Sequence, residues 1–333
     1  MPPTGVGGQG QGPRTFAAVV EVLAKACSST AMVFVMHTTA AQVLASAVPS
    51  QQTAKLLREI AAGRHLTTLA LSEVGGRSQF WAPLSELRTH EKGFTYQAEK
   101  SWVTAAGNAD SYISCARVPG AASALESVLL LVERRTEGVR VTGRFEGLGL
   151  RGNGSAPVSL DAVQLSADAL LTPMGEGASA LVGQVLPWFC VGTAAMSNGL
   201  CQAAVEATAR HLQQAGFAQT GTHLRELPNL RARLAQMSVR SEQARALLGA
   251  ALSGFNPPAP APLLPLLQSR LSSIEAALEV CDLAMKACGG AAFSRHLPVE
   301  RIFRDARAGW VMAPTVDHLQ DFIGRLLTGL PLL

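Results

Sequence analysis

The sequence predicts a mainly helical α+β protein of several domains: N-terminal helices, a central antiparallel β-barrel or sandwich, and a C-terminal four-helix bundle. Three observations carry this. Residues 14–63 repeat apolar side chains at helical spacing, and residues 67–167 break into short apolar or alternating runs between turn residues. Residues 179–330 return to long stretches with apolar stripes. The boundaries read from these shifts are 1–64, 65–170 and 175–333.

Residues 2–13 are rich in Pro, Gly and Gln and read as a loop. They include Gly5-Val6-Gly7-Gly8-Gln9-Gly10, formally a dinucleotide fingerprint. No strand precedes it, and no acidic residue follows about twenty positions on after a second strand, so the fingerprint lacks its context. Phe16, Val19, Val20 and Leu23 then mark a first helix, and Ser28-Ser29-Thr30 is expected to cap a second that runs to about Ala47. Residues 50–62 give a third, with Leu56, Leu57 and Ile60 on one face, and Gly63 ends the helical part. Strands are expected at 67–72, 94–98, 112–118, 128–133, 139–142 and 158–165, separated by Gly, Pro, Asn and Asp. Long helices follow at 181–214, 227–252, 266–288 and 315–330, with the Pro/Ala-rich 255–265 as a linker inside the bundle.

Composition narrows the function. Of 333 residues, 48% are hydrophobic and 16% charged, which excludes a disordered chain and points to much buried surface, as in packed helices or oligomers. The net charge of +4 comes from scattered basic residues, and aromatics are only 5%, so nucleic-acid binding is not expected. Cys27, Cys115, Cys190, Cys201, Cys281 and Cys288 form no Cys-x-x-Cys pair, and no signal peptide is read. They are expected to be reduced and mostly buried in a cytoplasmic protein, with no metal site. Residues 31–48 come nearest to a membrane span, but His37, Thr38, Thr39 and Gln42 interrupt them; a buried helix, and no membrane partner, is expected.

Three stretches carry candidate chemistry. Near the C-terminus, Ala284-Met285-Lys286-Ala287-Cys288-Gly289-Gly290 is a helix running into a Gly-Gly break, where the backbone can turn tightly and approach a ligand. Pro298-Val299-Glu300-Arg301-Ile302-Phe303-Arg304-Asp305-Ala306-Arg307 and Ala313-Pro314-Thr315 follow. In the β region stand Leu71-Ser72-Glu73-Val74-Gly75-Gly76-Arg77-Ser78 and Lys100-Ser101-Trp102-Val103-Thr104, with Ala109-Asp110 just beyond. By themselves these also read as a strand Trp in a core and two turn hydroxyls.

Together they resemble the acyl-CoA dehydrogenase family, over nearly the whole chain. Its Gln-x-x-Gly-Gly turn, Val-Glu-Arg-x-x-Arg-Asp-Ala run, Thr-Glu-Pro-Gly-x-Gly-Ser motif and Lys-x-Trp-Ile-Thr strand match these stretches in order. Pro3 to Gly8 resembles the family's N-terminal Pro-x-x-x-Gly-Gly loop, which implies an N-terminal helical domain short of its first helices. The resemblance implies FAD, with FMN or an empty site left open. Leu71 and Ser72 would meet the flavin's pyrimidine side, Trp102 would pack on the isoalloxazine, and Thr104 would sit near N5. Gly289, Gly290 and Thr315 would hold the nucleotide half of a flavin shared with a neighbouring subunit. Lys286 stands where Gln is common. The phosphate-clamping Arg-x-x-Phe-Gly reads Phe217-Ala218-Gln219-Thr220-Gly221, so Lys286 is the compensating charge. Ser78, with Arg77 where Gly is usual, would lie by the pantetheine arm; Arg151 and Ser155 match a turn with two readings, an anion contact or a solvated turn.

One departure changes the chemistry. Where the family keeps its catalytic Glu, this chain has Ala313, and the alternative position on the first bundle helix, Trp188-Phe189-Cys190, offers no carboxylate. A methyl group cannot take the α-proton of a thioester, and a positioned base is worth about 10²–10⁴-fold. Asp317 is the candidate displaced base, against its reading as helix-terminal stabilisation. His37, His90 and His318 are weaker candidates, and Glu300, Arg304 and Asp305 read as a structural ion-pair set. The resemblance therefore implies a flavin-dependent oxidoreductase for CH–CH groups of an acyl thioester, on coenzyme A or an acyl carrier protein, with its base absent or displaced. A flavin-dependent monooxygenase of the same fold and a non-catalytic flavin- or acyl-binding subunit stand as alternatives. A homodimer or homotetramer is expected, with a hetero-oligomer open.

Overall fold

A computed structural model describes residues 2–333. The chain forms two compact units. The first takes in the residues up to 16, then 32–146 and 151–189; the second takes in 17–31, 147–150 and 190–333. Helices α1 (Pro13–Ala26), α2 (Ser28–Ser46) and α3 (Gln51–Ala61) come first in sequence. Seven strands follow, and then a helical C-terminal half, so the fold is mainly helical α+β with a sheet region at its centre.

In the first unit, Ser50 caps α3 by accepting from the Thr53 amide, while the Thr53 hydroxyl accepts from the Ser50 amide. Strands β1 (Thr67–Ala70), β4 (Ser111–Arg117) and β5 (Ser127–Glu133) form one sheet in the order β1-β4-β5. Strands β2 (Leu87–His90), β3 (Gly93–Val103), β7 (Ala156–Leu165) and β6 (Val139–Val141) form the other, in the order β2-β3-β7-β6. Leu87, Tyr96, Tyr112, Leu130, Leu160 and Val163 are fully buried between them. Two expectations need correction. Strand β2 was missed because only Leu87 of its four residues is buried, leaving no alternation to read. The pairing is also not wholly antiparallel: β1 runs parallel to β4. The chain visits the other sheet between these two strands, and a long crossover allows the parallel return that a hairpin forbids.

A buried ion pair fixes the centre of this unit. Lys100 Nζ, with no exposed surface, lies 2.6 Å from Glu73 Oε1 and donates to the Cys115 carbonyl at 3.1 Å. Glu73 Oε2 accepts from the amides of Leu84 (2.6 Å) and Ser85 (3.0 Å), and Oε1 also accepts from the Ser85 hydroxyl. The Tyr96 hydroxyl donates to the same Cys115 carbonyl at 3.0 Å. Burial alone would raise the Glu73 carboxyl; Lys100 and the Ser85 hydrogen bonds outweigh it and hold the pKa below its usual value. Burial likewise opposes the Lys100 ammonium, but Tyr96 and Glu73 keep its pKa above the usual value. Both groups stay charged.

The second unit packs around α5 (Leu186–Gln214), α6 (Pro228–Ser253) and α7 (Leu263–Cys288), followed by α8 (Val299–Ala306), α9 (Ala308–Val311) and α10 (Val316–Thr328). A short helix α4 (Gly177–Ala180) and a wide turn (Leu181–Val185) lead into α5. Helix α4 belongs to the first unit. Small side chains (Ala204, Ala207, Ala276, Ala277, Ala284) let the helices approach closely. Helices α6 and α7 run antiparallel: Arg240 Nε meets Glu279 at 2.8 Å while Arg233 Nη1 donates to the Lys286 carbonyl at 3.2 Å. Gly199 on α5 admits α1, since a Cβ there would stand 2.5 Å from the Glu21 carbonyl oxygen.

Asp305 is the polar centre of this unit. Nearly buried, it accepts from Ser28 Oγ at 2.5 Å and from the Leu150 amide at 2.7 Å, with Arg301 at 3.6 Å. The expected cap at Ser28-Ser29-Thr30 therefore takes another form. Ser28 gives its hydroxyl to Asp305, and Cys27 stands at the helix head. Burial would raise that thiol, but hydrogen bonds from Thr30 and Ser29 and the nearby Arg301 bring its pKa below the usual value. Cys115 and Cys281, by contrast, are pushed by burial up to about 11 and about 12. The segment 31–48 is also not the chain's most membrane-like stretch. Residues Gly177–Gln214 are long and apolar enough to cross a membrane, and 72% of their apolar window is buried inside the protein, as in a core helix.

Lys100→Met leaves Glu73 buried and unpaired, and is expected to cost about 3–5 kcal/mol in urea unfolding. Adding Glu73→Gln should recover part of that loss, because a neutral amide still accepts from Leu84 and Ser85. The pH dependence follows from the sign of the shift. The folded pKa of Glu73 lies below its ordinary 4.5, so its contribution is complete above about that pH and is lost as pH falls through the folded value. Wild type and Glu73→Gln should therefore converge in stability on the acid side, as read from urea midpoints at successive pH values.

Candidate functional site

In the first unit, the ion pair sets two candidate segments side by side. The Ser101 amide donates to the Ser72 carbonyl at 2.9 Å, and the Val74 amide donates to the Glu99 carbonyl at 3.1 Å. Leu71 is buried and Ser72 half-buried beside β3. The register of β3 against β7 slips between Lys100 and Val103, and Trp102 sits in that bulge with φ +58°. The bulge turns its ring outward: Trp102 is 67% exposed and stands edge-on to Phe145, with 5.6 Å between centroids. Thr104, two residues on, points inward and is 3% exposed.

Thr104 meets Ser155, their hydroxyl oxygens 3.4 Å apart. The loop 151–155 is held there by backbone bonds, with the Ala105 amide donating to the Asn153 carbonyl (2.9 Å) and the Ala106 amide to Gly154 (3.1 Å). Asn153 Oδ1 accepts from the Ser155 amide at 2.9 Å, so a residue that sequence reasoning passed over shapes the loop. The signal for it is Gly152-Asn153-Gly154, an Asx-turn composition. Arg151 is exposed at the start of the same loop.

The loop after Ser72 borders a small recess with about 10 Å³ of enclosed room, enough for one water, lined by Leu71, Ser72, Ser78 and Phe80 among others. Its backbone is tightly turned, with the Gly76 amide on Glu73 O (3.0 Å) and the Gln79 amide on Gly76 O (3.0 Å). Arg77 and Ser78 both take left-handed conformations, φ +47° and +66°. For non-glycine residues that costs roughly 1–3 kcal/mol each.

In the second unit, α7 ends at the glycine pair. Gly289 adopts φ 57°, ψ −137°, and its N–H closes the helix on the Met285 carbonyl. That amide, expected to face a ligand, is therefore already engaged. Both glycines are exposed and a Cβ on either would meet nothing within 4 Å, so the turn lies open. Lys286, one turn earlier, is exposed, and Arg233 reaches its carbonyl at 3.2 Å, adding a second cation that the sequence did not reveal. The segment 217–221 forms a tight turn, the Gly221 amide donating to Phe217 O at 2.9 Å.

The Ala313 segment is anchored from beneath. Arg270, fully buried on α7, donates from Nη2 to the Met312 carbonyl at 3.0 Å. Burial lowers its pKa, and the sulfur of Cys190 opposes that shift. Ala313 is half-buried and Pro314 buried. Thr315 caps α10: its Oγ1 accepts from the His318 amide at 3.4 Å and lies 3.1 Å from His318 Nδ1. Asp317, in the first turn of α10, is exposed and makes no hydrogen bond or ion pair among the described residues. The other weaker candidates are engaged structurally. His37 Nδ1 lies 3.2 Å from the Thr67 backbone, and His90 Nδ1 accepts from the Lys92 amide at 3.2 Å. Glu300 pairs with Arg304 at 2.8 Å.

Comparison with known proteins gives a consistent result along the chain. Family models match in order: acyl-CoA dehydrogenase N-terminal domain over residues 1–64, middle domain over 68–163 and C-terminal domain over 175–325. A 3-sulfinopropanoyl-CoA desulfinase of Advenella mimigardefordensis is 27% identical, over 96% of this chain and 80% of its own length. A probable acyl-CoA dehydrogenase of Bacillus subtilis, YngJ, is 26% identical, over 92% of this chain and 80% of its own. Among solved structures, butyryl-CoA dehydrogenase from Megasphaera elsdenii superposes with a TM-score of 0.91 at 21% identity, covering 96% of this chain and 83% of the other.

The two glycines make separable demands. Gly289→Ala is expected to cost roughly 1–3 kcal/mol in urea unfolding from backbone conformation alone, since the added methyl meets nothing. Gly290→Ala, with no positive φ to satisfy, should stay within about 0.5 kcal/mol of wild type.

Proposed function

Because this chain belongs to the acyl-CoA dehydrogenase family, we propose that it binds FAD and acts as an oxidoreductase on the acyl group of a thioester, carried by coenzyme A or a carrier protein. The observation that carries this is the arrangement at the bulge of β3: an outward aromatic ring, Trp102, next to the hydroxyl pair of Thr104 and Ser155, with Ser72 on the adjoining segment. That set fits a flavin, which needs an aromatic wall and hydroxyl or backbone donors around its ring. When bound, FAD supplies an acceptor for hydride. Leu71 and Ser72 hold its pyrimidine side, Trp102 covers the ring, and Thr104 donates near the reacting nitrogen. Gly290 and Thr315 would serve the nucleotide half of a flavin bound mainly by a neighbouring subunit, with Gly289 shaping the turn and Lys286 supplying the charge that the arginine-less 217–221 turn lacks. The open glycine turn, the exposed Lys286 and the half-buried Thr315 support FAD over FMN.

Proton transfer is where this chain differs. Ala313 offers no acceptor; Asp317, in the first turn of the helix that follows, is exposed and engaged by no other described residue, and is the proposed displaced base. Ser78, Arg151 and Ser155 are the proposed substrate-side contacts. The same Ala313 favours a second reading, in which reaction needs no α-proton base, as in a flavin-dependent monooxygenase. A relative named for desulfination and not for dehydrogenation points the same way. Self-assembly into a dimer or tetramer is supported by apolar side chains left outside the helical unit, among them Phe293 (87% exposed), Val311 (72%) and Leu327 (64%).

The test begins with the visible spectrum of the purified protein and identification of any released flavin. Anaerobic bleaching by an acyl-CoA panel supports the dehydrogenase, whereas product formed only from reduced flavin and O2 supports the oxygenase. A colourless protein that takes up no flavin would sink both and leave a non-catalytic subunit. Ala313→Glu should speed bleaching by about 10²-fold or more if only the base is missing.

A further inference from the structure

We propose that His37 is an acid-sensitive latch on β1: neutral, it holds the leading end of that strand in place, and protonated, it lets the strand open. The latch stands on contacts within the first unit. Its consequence for the cofactor rests in addition on the flavin reading, because β1 runs directly into Leu71 and Ser72.

Strand β1 is an edge strand, hydrogen-bonded in its sheet to β4 alone, so its other side presents backbone groups that need partners. Thr67, its first residue, has no exposed surface, and water cannot supply them. His37 on α2 does. Its Nδ1 stands 3.2 Å from the Thr67 amide nitrogen and 3.2 Å from the Thr67 carbonyl oxygen. A neutral imidazole with its proton on Nε2 accepts from the amide. An imidazolium carries hydrogen on both nitrogens, so Nδ1 becomes a donor to the carbonyl and the buried amide is orphaned. The side chains around Thr67 are committed elsewhere: His65 Nε2 lies 2.8 Å from Ser111 Oγ, which donates to Thr67 Oγ1 at 3.0 Å.

The surrounding charges favour the neutral ring. The titratable group facing His37 is His65, and the carboxylates of Asp110, Glu133 and Glu59 act on His65. Those carboxylates have partners of their own: Asp110 takes the Leu66 amide at 2.9 Å with Arg134 at 3.9 Å, Glu133 takes Gln52 at 3.3 Å, and Glu59 takes Arg64 at 2.8 Å. Burial lowers the His37 pKa below 6.5 despite the bond to Thr67, and His65 lowers it further. In the open strand the ring titrates near its ordinary value, so the open form takes up the proton first. The hold on β1 is complete above about pH 6.5 and is lost as pH falls below it.

The test is hydrogen exchange of the full chain between pH 7.5 and 5, read as protection factors. Below pH 6.5 the β1 amides of wild type should lose protection by up to about tenfold per pH unit, while those of β5 keep theirs. His37→Asn sets an amide oxygen near the Nδ1 position that accepts at every pH, and should flatten the profile. His37→Phe should be flat and about tenfold less protected at pH 7.5. Protection of β1 that does not change with pH in wild type, a loss shared equally by β5, or a pH dependence that persists in His37→Asn overturns the latch. So does a profile flattened by His65→Gln and not by His37→Asn. Release of bound flavin, followed by its fluorescence, should quicken over the same window in wild type and not in His37→Asn. If β1 opens and the flavin stays, the link to the cofactor fails while the latch stands; if the protein holds no flavin, the flavin reading fails and exchange still decides the latch.

Discussion

The Lys100–Glu73 pair is the constraint on which the candidate-site end of the sheet unit depends. An ammonium with no exposed surface is tolerated only because one carboxylate oxygen stands 2.6 Å away and a backbone carbonyl completes its contacts. The same carboxylate gathers the amides of Leu84 and Ser85, so one charge closes the loop that begins at Glu73 and lays Ser72 along β3. From that alignment follow the recess, the positions of Arg77 and Ser78, and the bulge that turns Trp102 outward. The interaction contributes architecture more than net free energy, since burying both charges offsets much of their attraction.

Asp305 plays a comparable part in the helical unit by a different route. Its ion pair with Arg301 is long, at 3.6 Å, and its two short bonds come from Ser28 and the Leu150 amide, residues far apart in sequence. Gly149 shows how close this packing is: a Cβ there would lie 2.4 Å from the Arg304 carbonyl oxygen. The Val-Glu-Arg-x-x-Arg-Asp-Ala run is therefore two devices in one, a half-buried Glu300–Arg304 pair and a buried acceptor. In neither does it touch the chemistry of Ala313.

Much of this architecture was legible before any coordinates. Helical spacing in 14–63 and the turn-bounded runs of 67–167 identify elements because they reflect which face is buried, and burial is a local property of the pattern. The strand β2 escaped because a short edge strand with one buried residue has no pattern. The parallel β1–β4 pairing escaped because partner choice is set by tertiary packing. At the candidate site, spacing singled out Ser72, Trp102, Thr104 and Ser155 as candidates, but not the Asn153 turn that seats Ser155, the Arg233 beside Lys286, or the engagement of the Gly289 amide by Met285. Each of these depends on a contact or a backbone angle that residue identity alone does not specify.

The parallel pairing of β1 and β4 also bears on how the chain reaches its native state. Thr67 finds its partner Ser111 44 residues later, after the chain has passed through two strands of the other sheet. Loop-closure entropy must be met before that contact returns any stability, so this sheet is a late event in folding and slower than the hairpins or the helices. During synthesis, β1 emerges with a bare edge and waits for its partner. The segment that leads into the proposed flavin site is thus the one that nascent-chain crowding or chaperone engagement would affect first.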